Sequence, residues 1–60
     1  MKLVTLIKKH DVKAVYIRSK SDWLFTRAFT PDFMSVHDME TSLIEWVYNS
    51  KTKVLKGWVL

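Results

Sequence analysis

The side chains best suited to proton transfer in this sequence are two histidines, each followed by an aspartate: His10-Asp11 and His37-Asp38. Neighbours in sequence do not normally place a carboxylate where it orients the adjacent imidazole. A general acid–base site would need histidine and carboxylate drawn from both halves of the chain. Cysteine is absent, which excludes a thiol nucleophile, a disulfide framework and a Cys-based zinc site. Gly57 is the only glycine, so no glycine-rich phosphate loop or dinucleotide fingerprint exists. Two histidines and scattered acids lack the spacing of a metal site. The expectation is a protein that is not an enzyme, with no catalytic residues, no metal and no cofactor.

Binding chemistry is better represented. Tyr16, Trp23 and Phe25 interleave with Lys13, Arg18, Lys20 and Arg27, the ingredients of a stacking platform with a cationic border. Core aromatics and edge lysines produce the same string, and neither an RNA-binding signature nor a helix-turn-helix is present. A single-stranded nucleic-acid-binding domain is therefore one alternative for the chain.

The elements that must position these residues follow from apolar spacing. Sixty residues specify a single domain, 1–60, which hides only about 60% of its unfolded surface on folding. With 48% hydrophobic and 13% aromatic residues, disorder is excluded. Lys2 to Lys9, Val12 to Arg18 and Trp23 to Phe29 are β-rich runs separated by short polar connections, and they predict an antiparallel meander. Pro31 breaks the third run. Ser35 followed by Asp38 resembles a capping box, and apolar residues at 36, 39, 43, 44, 46, 47 and 48 predict a helix from about Val36 to Tyr48. Thr30 with Pro31 offers an earlier helix start. Thr52 to Leu60 reads as a final strand. The predicted fold is α+β: a small antiparallel sheet of order β-β-β-α-β with one helix packed on one face. The apolar run after Met1 is cut at Lys8-Lys9, and nothing approaches the roughly 20 apolar residues of a membrane span, so an intracellular protein with no membrane association is expected.

One helix covers one face of such a sheet, yet large apolar residues occupy both faces of every predicted strand. Either twist, rim and termini cover part of the second face, or a partner or second copy covers it. Charge is segregated as well: residues 1–29 carry net +5, the segment from Thr30 to Ser50 carries −4, and residues 51–60 carry +3. Two charges fall among apolar neighbours, Glu40 within the helix arc and Arg27 on a strand face with Trp23, Phe25 and Phe29. They are read as a mutual ion pair, as side chains that snorkel to the rim, or as groups presented to a partner.

The opening Met1-Lys2-Leu3-Val4, the stretch Phe25-Thr26-Arg27-Ala28-Phe29-Thr30, and Ser42-Leu43-Ile44-Glu45 through Lys51-Thr52-Lys53-Val54 resemble the Dmd antitoxin family of T-even-type phages. That resemblance covers about half the chain in three patches. It implies a bacteriophage antitoxin made in the bacterial host cytoplasm, which binds a host endoribonuclease toxin of the RnlA or LsoA kind and blocks its RNA-binding groove sterically. Such a ribonuclease inhibitor works by protein–protein interaction alone. An RNA-binding groove is expected to be basic, which directs docking to the acidic helix and its approach loop. Asp32, Phe33, Met34, His37 and Glu40 are the partner-binding candidates. A phage inhibitor of another host enzyme, a single-strand nucleic-acid binder and an oligomeric structural subunit are the alternatives.

Overall fold

A computed structural model describes all 60 residues. The chain opens with helix α1 (Leu3–Lys9), followed by strands β1 (Ala14–Ser19) and β2 (Thr26–Phe29). A 3-10 turn (Pro31–Phe33) leads into the short helix α2 (Val36–Glu40), and strands β3 (Glu45–Asn49) and β4 (Val54–Val59) complete the chain. The fold is α+β, with four strands in the order β2-β1-β4-β3. Two antiparallel hairpins, β1–β2 and β3–β4, are joined by a parallel pairing of the inner strands β1 and β4. The sheet is thus mixed rather than wholly antiparallel.

The first β-rich run is a helix. Its apolar residues at 3, 4, 6 and 7 follow the i, i+3, i+4 spacing of a helical face as well as they follow a strand. Leu3 and Leu6 are completely buried, Val4 and Ile7 are half-buried, and Thr5, Lys8 and Lys9 face outward. Lys8 and Lys9 in the last turn also complement the helix dipole. Extended pairing at this end is limited to an antiparallel bridge between Lys2 and Ser42, made as the Leu3 amide donates to the Thr41 carbonyl (2.9 Å) and the Leu43 amide donates to the Met1 carbonyl (2.9 Å).

The helix expected over 36–48 ends at Glu40. Thr41 turns the chain to an extended conformation (φ −58°, ψ 130°), and Glu45-Trp46-Val47-Tyr48-Asn49 adopts the geometry that β-branched and aromatic residues favour. Pairing with β4 satisfies the amides and carbonyls along one side of β3. The two helix starts read from the sequence are both used: Thr30-Pro31 begins the 3-10 turn, and Ser35 caps α2.

Both helices lie on one side of the sheet. The core consists of Leu3 and Leu6 from α1, Val15 and Ile17 from β1, Leu43 from the α2–β3 connection and Leu55 from β4. Each such side chain contributes roughly 1.5–3 kcal/mol when fully buried. Gly57 lies on the same face, directly under Leu43; a Cβ built there would sit 2.6 Å from Leu43 Cδ1. The connection from β3 to β4 is pinned by Asn49, whose Oδ1 accepts from the amides of Lys51 (2.9 Å) and Thr52 (3.3 Å). Lys53, with φ 60°, takes the left-handed conformation that closes this hairpin. No helix is long and apolar enough to cross a membrane.

Candidate functional site

The segment between the two hairpins, Thr30 to Glu40, carries all five partner-binding candidates. Pro31 fixes the first turn, and Phe33 is left 83% exposed at its end. Asp32 beside it is exposed and takes part in none of the chain's ion pairs. Met34 turns the other way, half-buried against the core. His37 and Glu40 are exposed on α2. The structure therefore brings Asp32, Phe33, His37 and Glu40 to the surface of one continuous segment and assigns Met34 to its support. Val36, read from the sequence as part of the buried helix arc, is 77% exposed and joins Phe33 at the surface.

What holds this segment in place is a reciprocal cap. The Ser35 hydroxyl accepts from the Asp38 amide (3.1 Å), while Asp38 Oδ2 accepts from the Ser35 amide (3.1 Å) and hydroxyl (3.0 Å). Asp38 Oδ1 meets Arg27 Nη1 at 2.7 Å, and the guanidinium lies 5.4 Å from the centroid of Phe29. Arg27 thereby fastens α2 to β2. The Ser35 amide, opposed by burial and aided by the Ser35 hydroxyl and Arg27, holds the Asp38 carboxyl below its ordinary range.

Arg27 and Glu40 do not pair with each other. With α2 ending at Glu40, the buried acid that reaches Arg27 is Asp38, and Glu40 instead accepts from Lys2 Nζ (2.8 Å) across the α1–α2 contact. That hydrogen bond and the Lys2 charge lower the Glu40 pKa. The partner of Arg27 was available in the sequence as a second acid two residues away.

The aspartates of the two histidine–aspartate pairs are engaged elsewhere in the fold. His10 stacks on Tyr48 with ring centroids 4.5 Å apart, and the Tyr48 hydroxyl donates to the Asp11 carbonyl at 2.6 Å. The Asp11 carboxylate meets Lys53 Nζ at 3.0 Å, a contact that raises the Lys53 pKa. Asp38 is engaged by Ser35 and Arg27, so neither aspartate orients the imidazole beside it. No three His, Asp or Glu side chains converge as ligands for a metal ion.

The aromatic–cationic string is divided between surfaces. Arg27 lies on the helix-covered face, Lys20 is paired with Glu45, and Trp23 stands 85% exposed in the β1–β2 turn. Tyr16 and Arg18 share the uncovered face, where Lys56 and Trp58 of β4 join them. Comparison of the chain with family models, with curated proteins and with solved structures yields no match.

Proposed function

We propose that this chain is a small inhibitor that acts by occupying another protein, of the phage antitoxin type that its sequence resembles. Its target on this reading is a bacterial endoribonuclease toxin, whose basic RNA groove is filled so that RNA cannot enter, and its place of action is the host cytoplasm. The observation that carries the proposal is the Thr30–Glu40 segment: two apolar side chains, Phe33 and Val36, stand in solvent beside the unpaired carboxylate of Asp32. An exposed aromatic anchor with an acidic flank is the form a binding hot spot takes towards a basic groove. The cap at Ser35 and the Arg27–Asp38 pair preorganise the segment, which limits the ordering cost on binding.

The test combines a toxin-rescue growth assay with direct binding to RnlA- or LsoA-type toxins. Phe33→Ala should weaken binding by roughly thirtyfold or more, the scale of a hot-spot truncation. Asp32→Lys should lower the association rate and reduce its salt dependence. Neither substitution should shift the thermal melt of the free protein. Failure of the wild-type chain to bind or rescue any such toxin overturns the proposal.

A further inference from the structure

The sheet face turned away from the helices carries a second, chemically distinct surface. In the parallel register of β1 and β4, Tyr16 stands beside Lys56 and Arg18 beside Trp58. Alternation along each strand places all four on the same side. Aromatic ring and cation therefore alternate both along the strands and across them. The outer strands complete the face with Thr26 opposite Arg18 and Val47 opposite Lys56, and these six residues line a shallow depression of about 740 Å³. Ala28, paired with Tyr16, leaves the outer side of that ring uncovered, and the tyrosine is 44% exposed.

Charge defines what fits. The four ion pairs of the chain are Lys2–Glu40, Lys20–Glu45, Arg27–Asp38 and Lys53–Asp11, so Arg18 and Lys56 remain without an anion. Glu45, paired in register with Trp58, has its carboxylate engaged by Lys20. A second copy of the chain docked face to face would set the same cations against each other. A ligand that offers both planar faces and regularly spaced negative charge satisfies both halves of the pattern. We infer that this face binds single-stranded nucleic acid, with bases stacked on Tyr16 and Trp58 and phosphates passing Arg18 and Lys56. The inference rests on the sheet face alone and is independent of the inhibitor proposal, whose contacts lie in the Thr30–Glu40 segment.

Fluorescence anisotropy with labelled oligo(U) RNA and oligo(dT) DNA tests it, using the full chain. With two phosphates neutralised, affinity should fall roughly sevenfold between about 50 and 200 mM salt. Tyr16→Ala should weaken binding about fivefold or more, the lower end of a base–aromatic stack. Lys56→Glu should weaken it and flatten the salt dependence. Both positions are exposed, so circular dichroism melts of these variants should match the wild type, which separates a lost contact from a lost fold. Phe33→Ala should leave oligonucleotide affinity unchanged. Stronger binding to RNA than to DNA would add a 2′-hydroxyl contact, and equal binding would assign recognition to bases and phosphates alone. No binding to either oligonucleotide at low salt overturns the inference. So does binding that Tyr16→Ala and Lys56→Glu both leave intact.

Discussion

Gly57 shows how a single hydrogen atom in place of a methyl group sets the sheet's inner packing. Leu43 is 2% exposed and rests where a Gly57 Cβ would be, so Gly57→Ala forces a fully packed leucine aside. Overpacking of this kind costs about 1–3 kcal/mol, which in a chain this short lowers the melting temperature by roughly 4–8 °C for each kcal/mol. Leu43→Ala alone should cost about 2–5 kcal/mol through the cavity it opens. The double variant should be more stable than the sum of the two losses, because the alanine methyl fills part of that cavity. Simple additivity in thermal melts would show that the two residues do not share the space. Asp38 makes a different kind of statement. Its folded pKa lies below the ordinary value of 3.8, so its stabilising contribution is complete above that value and is lost as pH falls through the folded pKa. Asp38→Asn retains an acceptor for the Ser35 amide but removes the charge facing Arg27. Its melting temperature should therefore be lower than wild type at pH 7, and the gap should close in acid. A gap that stays constant down to pH 2 (well below the range of ordinary carboxylates, about 4) would show that the charge plays no part.

Helix α2 has five residues, too few to be stable on its own, and depends on its cap and its anchor. Ser35→Ala removes the hydroxyl that accepts from the Asp38 amide and should cost about 1 kcal/mol. Hydrogen exchange should report the loss first in residues 36–40, ahead of the sheet, and a uniform loss across the chain would contradict a local capping role. The capping box was legible in the sequence because it depends on residues three apart. The strands over 26–29 and 54–59 each fall inside a β-rich run, and the strand over 14–19 runs one residue past the run that ends at Arg18. The residues that escaped local reading are those whose state is decided by distant partners. Leu3 to Lys9 carries β-branched residues on a helical spacing, and burial against Val15, Ile17 and Leu55 selects the helix. Ile44 to Asn49 fits a helical arc, yet β4 offers it a ladder, and the ladder prevails. The candidate segment shows the same division. Exposure of Asp32 and Phe33 follows from the break at Pro31, whereas exposure of Val36 follows from the early end of α2. The neighbourhood of Tyr16 and Lys56, forty residues apart in the chain, exists only through the parallel pairing of β1 and β4.

Six apolar residues make the core, while twelve large apolar residues remain exposed, among them Trp23, Leu24, Phe33, Val36 and Val47. Six further apolar residues, Ile7, Val12, Phe29, Met34, Tyr48 and Val59, pack partly buried against that core, and a domain this short hides only about 60% of its unfolded surface. Occupying the exposed surface has a measurable consequence. A partner that binds only the folded chain stabilises it by RT ln(1 + [L]/Kd), about 2.7 kcal/mol at a hundredfold excess over Kd. For a domain of this size the corresponding rise in melting temperature is roughly 10–20 °C. A toxin docked on the Thr30–Glu40 segment should produce this rise for wild type and lose most of it with Phe33→Ala at the same concentration. An oligonucleotide docked on the open sheet face should produce its own rise, lost with Tyr16→Ala and reduced by salt. The two ligands address opposite sides of the sheet, so their effects should add when both are present. Competition between them would show that the toxin contact extends onto Tyr16 and Lys56. A melting temperature that climbs with protein concentration in the absence of any ligand would instead assign the exposed apolar surface to self-association.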